Sequence, residues 1–189
     1  MRRGLNHKRG FTITELIVAI AILGLFATIA LPNIIRWVPA FRVNAAARNL
    51  ASEMQLARLK AVAKKTDCVI AFNSANNEYT VAWKSPITLP KGIRFGRALD
   101  GIKRTSCGGT IKADGIHLPG GGSTLSFQSD GTPKGFGGSI YIIPISDDED
   151  NAQWTQRWKA VSVNTTGRVK VWRYDASAQD CGDSQGPWR

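Results

Sequence analysis

Apolar and polar positions divide the chain into three stretches of different period. Residues 1–10 are polar and basic, and from Leu16 to Ile35 there follow twenty residues without a charge. At 1.5 Å per residue twenty residues reach ~30 Å, the thickness of a bilayer's hydrocarbon core, so a transmembrane helix is predicted over 11–37. Next, Val43, Ala47, Leu50, Met54, Ala57 and Ala61 recur at spacings of 4, 3, 4, 3 and 4. That is one apolar stripe along a helix over 38–65, with Arg42, Arg48, Asn49, Glu53, Lys60 and Lys64 on its other sides. Taken as continuous from Phe11 to Lys65, the helix would extend ~80 Å. Pro32 and Pro39 are expected to kink or loosen it, each removing a backbone donor. The stripe needs a core to pack on, and residues 66–189 are expected to supply it as a β-rich globular domain.

Beyond Thr66 the period shortens. Cys68–Phe72 and Tyr79–Trp83 flank a polar loop and read as a hairpin; Ile93–Phe95, Thr124–Gln128 and Ser139–Ile145 read as further strands. Lys159–Val163 and Arg168–Tyr174 flank Asn164-Thr165-Thr166-Gly167 and read as a second hairpin, with glycine at the position of positive φ. Residues 96–122 are glycine-rich and poorly patterned, and irregular loops are expected there.

Composition narrows the chemistry. At 189 residues the chain suits one modest domain plus one extended element, not a multidomain enzyme. The formal charge of +11 points to an anionic partner such as nucleic acid or a membrane surface. Four of those charges, Arg2, Arg3, Lys8 and Arg9, lie in the first ten residues, where they would hold that end in the cytoplasm; without them 21 basic residues face 14 acidic ones, a charge of +7. Cys68, Cys107 and Cys181 form no CxxC, which excludes zinc-ribbon and thioredoxin-like sites. One disulfide with one cysteine left over is the simplest oxidised state, and Cys107 with Cys181 is the pair taken, other pairings staying open.

No catalytic residue, cofactor or metal site is implied. His117 has no spacing that ties it to a nucleophile and reads as a loop residue; Gly120-Gly121-Gly122 lacks the lysine and helix of a phosphate loop and reads as a flexible turn. Asp147-Asp148-Glu149-Asp150 reads as a solvated acidic loop rather than a calcium site.

The N-terminus carries the most specific signal. Ala30-Leu31-Pro32-Asn33 is a poor cleavage site for an ordinary secretory signal. Glu15 is the single acid bordering the apolar run, and an unpaired carboxylate in that setting costs several kcal/mol by order of magnitude. Cleavage after Gly10 would create a positive Phe11 amine able to meet Glu15 within the subunit or across to a neighbour. The basic leader 1–10, Gly10-Phe11-Thr12 with Glu15, the apolar helix and Pro32 resemble the class III signal of type IV pilins and type II secretion pseudopilins. The resemblance implies cleavage by a prepilin peptidase after Gly10, N-methylation of Phe11, storage in the inner membrane as a single-pass protein with a periplasmic globular domain, and extraction into a filament. Glu15 and Pro32 would serve assembly, and the partners would be other pilins or pseudopilins through the N-terminal helix.

The body narrows this further. The helix segment from Asn44 to Ala61, then Leu125–Gly131, the Ile140-Tyr141-Ile142-Ile143 strand and the closing Val161–Val169 resemble, in order, the GspH/FimT group of minor pseudopilins. The implied fold is α+β, a long N-terminal helix packed on an antiparallel β-sandwich. The implied role is structural, in the tip or initiating complex of a pilus or secretion pseudopilus. Some pilus members are similar to DNA-uptake receptors whose C-terminal Gly-Arg-Xaa-Arg contacts DNA. The matching residues here are Gly167, Arg168, Val169 and Lys170, so lysine replaces the second arginine, keeping the charge but losing the bidentate fork. Residues two apart in a strand share a face, so Arg168, Lys170 and Trp172 should project together and Arg173 away from them. DNA binding through this hairpin is therefore the alternative, set against an ordinary solvated or subunit-contacting face.

Overall fold

The computed structural model describes residues 11–97, 104–105, 109–147, 157–175 and 188–189; the side chains of 29 and 32–36 are also outside the description. Helix α1 runs Ile13–Lys64 and continues through Pro32 and Pro39, so neither proline ends it as the loosening expectation would allow. The chain divides into two compact units, Met1–Val38 and Pro39–Arg189.

In the first unit the apolar side chains lie open: Phe11 is 86% exposed, Leu16 58% and Phe26 64%. Among the described residues no helix is long and apolar enough to cross a membrane.

In the second unit the helical stripe is core. Val43, Ala47, Leu50, Met54, Ala57 and Ala61 are all fully buried, because a 3.6-residue period brings them to one side of the helix. They pack on two antiparallel sheets. The first sheet has the order β3(Ile87–Thr88), β2(Glu78–Val81), β1(Cys68–Asn73), β6(Thr124–Phe127). The second has β4(Ile93–Phe95), β7(Gly138–Pro144), β8(Lys159–Val163), β9(Val169–Arg173), with β5(Ile116–His117) also beside β7. Alternation sends Ile70, Phe72, Leu125 and Phe127 of one sheet, and Ile140, Ile142, Val161 and Val163 of the other, into the same core as the helix. Tyr141, Ile143 and Ala160 point the opposite way into a second cluster with Trp158, Tyr174 and Trp188. The middle strands β7 and β8 of the second sheet are thus buried on both faces, which explains why β7 reads as a nearly continuous apolar run.

Two short elements depart from expectation. The stretch 96–122 holds strand β5 and a 3-10 turn at Pro119–Gly121, so His117 is a strand residue and not a loop residue. Trp188 is buried and Arg189 exchanges both backbone hydrogen bonds with Arg173, adding the end of the chain to the outer edge of β9.

Candidate functional site

Gly10 lies outside the described residues. Thr12 caps α1: its Oγ1 accepts the Glu15 amide at 3.3 Å, and its carbonyl accepts the Leu16 amide at 3.2 Å. Glu15 therefore stands in the first turn, where a carboxylate meets the positive end of the helix dipole, and it is exposed. Among the described residues it makes no ion pair. Pro32 lies within α1, its side chain outside the description.

At the other end of the chain, the turn between β8 and β9 is closed by Asn164, whose Oδ1 accepts the Thr166 amide, the Thr166 hydroxyl and the Arg168 amide at 3.2, 2.8 and 2.8 Å. Arg168 and Lys170 are exposed, and Lys170 Nζ sits 3.4 Å from the centre of the Trp172 ring, so those two side chains share a face as the strand period requires. The Trp172 indole N–H donates to Ser162 Oγ at 2.6 Å, across the strand pair.

Beside this hairpin lies an open pocket of about 350 Å³, walled by the Ser162–Thr165 segment with Trp172, by Gly137–Ser139 at the start of β7, by His117 and by Arg104 with Thr105. The backbones approach closely: a Cβ on Gly137 would stand 2.0 Å from the Val163 carbonyl oxygen, so only glycine leaves this wall in place. Thr105 Oγ1 and Ser139 Oγ are 2.8 Å apart, and the Thr105 amide donates to the buried Tyr141 hydroxyl at 3.0 Å. His117 Nε2 accepts the Lys112 amide at 2.7 Å. Burial, with Arg104 and Lys112 adding repulsion, holds the His117 imidazole down to about 4. It is neutral, with its remaining proton on Nδ1. None of these residues was paired with the hairpin by sequence reasoning, since positions 104 to 172 carry no common spacing.

Two further residues were missed. Arg58 Nε donates to the Gly131 carbonyl at 3.0 Å, and a Cβ on Gly167 would fall 2.1 Å from that same oxygen. Arg58 thus bonds the helix to the Asp130-Gly131 turn, and the Thr166-Gly167 turn packs closely against the same carbonyl; all three segments are ones on which the family resemblance rested. Asp147 is not solvated as expected. It is fully buried and accepts Arg157 Nη2 at 2.8 Å and the Trp158 indole N–H at 3.0 Å, which commits it to holding the start of β8; Asp148, Glu149 and Asp150 lie outside the described residues. Among the described residues no group of three potential metal ligands gathers. Cys68 is a free, buried thiol, while Cys107 and Cys181 lie outside the described residues.

Comparison with known proteins returns two families in sequence. Residues 5–31 match the prokaryotic N-terminal methylation motif, and residues 46–167 match the type II transport protein GspH. A search of curated proteins gives no match. Among solved structures, the minor pseudopilin EpsH of the Vibrio cholerae type 2 secretion system aligns at 13% identity over 70% of this chain and 97% of its own, with a TM-score of 0.49. The type IV minor pilin FimU of Pseudomonas aeruginosa aligns at 14% identity over 68% and 87%, with a TM-score of 0.43.

Proposed function

Because the chain belongs to the type II transport protein GspH family, behind an N-terminal methylation motif, we propose that it is a structural minor pseudopilin or minor pilin, cleaved after Gly10, methylated on Phe11 and built into the tip or initiating complex of a secretion pseudopilus or type IV pilus. The observation that carries this is the order of parts: a basic leader, Phe11, a capped helix whose first apolar residues are exposed, and then a globular unit whose own core is complete. So much exposed apolar surface on a lone helix needs an apolar surround. The inner membrane provides one before assembly, with the leader cytoplasmic and the globular unit periplasmic, and the helices of neighbouring subunits provide another afterwards. Its role is to be processed, extracted and stacked, with no chemical step of its own.

Mass spectrometry of the protein extracted from membranes tests the reading. Methylated Phe11 is expected as the first residue; Met1 retained in cells with an active prepilin peptidase would overturn it.

DNA binding for uptake is the second reading, favoured by the exposure of Arg168 and Lys170 on one hairpin. Against it, the Lys170 ammonium covers the Trp172 ring that a base would stack on. Under this reading the full chain in detergent should bind DNA with an affinity that weakens as salt rises and disappears on Arg168→Glu with Lys170→Glu.

A further inference from the structure

We propose that Arg48, Lys159 and Arg173 form a binding site for the phosphate group of an anionic phospholipid. Strand register assembles the cluster. In the second sheet Phe95, Ile142, Lys159 and Arg173 stand side by side across β4, β7, β8 and β9. Lys159 shares the face of Val161 and Val163, which pack in the core with the helix, while Ala160 between them turns to the opposite cluster. The row therefore passes from two buried apolar residues to two cations on the side that carries α1. There the helix adds a third cation. The Arg173 and Arg48 guanidinium groups both lie close enough to repel the half-buried Lys159 ammonium, and burial together with that repulsion lowers its pKa.

Like charges directly opposite one another weaken a strand pair, so the fold carries a cost here. The chain does not relieve it. Among the described residues none of the three cations has an acidic partner or a side-chain hydrogen bond, and the acid nearest to Arg173 in sequence, Asp175, is engaged by Arg189 Nε at 3.7 Å. An anion held between the three would replace mutual repulsion with three attractions. Phosphate is favoured by the donor types: two planar guanidinium forks and an ammonium arrive from three elements, and a tetrahedral phosphate offers oxygens in more directions than a planar carboxylate.

A lipid is favoured over a nucleic acid by extent and by place. DNA is held by a row of cations that displaces counterions, whereas these three form one compact group flanked by Ile142 across the sheet and by Val171 along β9. Lys170, at the alternate position of β9, lies over Trp172 on the other face and cannot extend the group. As to place, Pro39 is the first residue of the compact unit, and Arg48 follows it by ~14 Å of helical rise. The apolar unit ends just before, at Val38, so a bilayer that held it would present headgroups to this stretch of helix. The choice of a lipid thus rests on the assembly reading above, in which the chain waits in the inner membrane.

The test uses the full chain in neutral detergent micelles and follows its thermal unfolding as phosphatidylglycerol, phosphatidylcholine, sodium phosphate or a thymidine tetranucleotide is added at equal concentration. Phosphatidylglycerol should raise the midpoint, because a ligand bound only by the folded state stabilises it. Phosphatidylcholine, whose choline offsets its phosphate, should not. Arg48→Gln and, separately, Arg173→Gln should each remove most of the rise. Before any lipid is added both variants should melt no lower than the native protein, since each deletes a like charge, and this separates loss of the site from loss of the fold. Both side chains are exposed, so either variant serves if the other fails to fold. Lys134→Gln, which removes an exposed cation elsewhere, should keep the full rise. An equal rise with phosphatidylcholine, no rise with phosphatidylglycerol, a rise that survives both variants, or a larger rise with sodium phosphate or the tetranucleotide would overturn the proposal. Methylated Phe11 would still be found in each of those cases, so failure here is distinct from failure of the assembly reading.

Discussion

His117 shows how one side chain ties pH to stability. In the folded chain its imidazole stays neutral down to about 4, against an ordinary value of 6.5, because it is buried and Arg104 and Lys112 repel its positive form. In the unfolded chain it takes a proton near 6.5, so protons favour the unfolded state between those values. The contribution is fully present above 6.5 and is lost as pH falls toward 4. Melting temperature across that window should therefore drop more steeply for the native protein than for His117→Gln, and parallel curves would remove His117 as the cause. The residue itself was visible in sequence, but its environment was not: Lys112 and Asp114 are close neighbours along the chain, while Tyr141 and Ser139 arrive only through the pairing of β5 with β7, and Arg104 comes with Thr105, which bonds Tyr141 and Ser139. Asp147 carries the same lesson. Four acids in succession suggest solvent, yet the first is fully buried because Arg157 and the Trp158 indole satisfy it, a pairing that no local pattern announces.

At the scale of elements, periodicity was informative wherever an element was long or alternated cleanly. The six-residue stripe from Val43 to Ala61 is buried throughout, and the strands at 93–95 and 159–163 lie where their β-branched and aromatic runs place them. Strands β3 and β5 have two residues each, too few to show a period, and both exist because a longer neighbour offers an edge. The docking of turns on the helix is likewise tertiary. Gly167 has φ of +78°, and an added Cβ there would collide with the Gly131 oxygen that Arg58 holds. Gly167→Ala should cost ~1–2 kcal/mol from the backbone alone, more with the collision, and thermal unfolding should show a markedly lower midpoint. A midpoint within error of the native protein would mean that the two turns are not locked through Arg58.

For the whole molecule, the chain is built so that one unit has a finished core and the other does not. Val43 and its stripe find partners inside Pro39–Arg189, whereas Leu16, Ile17, Val18 and Ile20 remain exposed. Glu15 belongs to that unfinished unit, set in the first helical turn without an ion pair among the described residues. Glu15→Gln should leave cleavage after Gly10 working and impair incorporation into the filament, measured as the ratio of assembled to membrane-held protein. Unchanged incorporation would show that no neighbouring amine or cation relies on this carboxylate.

The linear chain determined its basic first ten residues, its apolar and amphipathic helical stretches and most strands, because those depend on local period and on residue types counted in order. It also determined membership of its family, since the methylation motif and the GspH segment are written consecutively. Only the tertiary structure decided what Arg58 grips, why Asp147 is buried, where Trp188 ends and which side chains surround the pocket. The physical reason is sequence separation. Arg104, His117, Ser139 and Asn164 lie tens of residues apart, and the energy that gathers them is the burial of the two apolar clusters around the second sheet, to which each contributes little by itself.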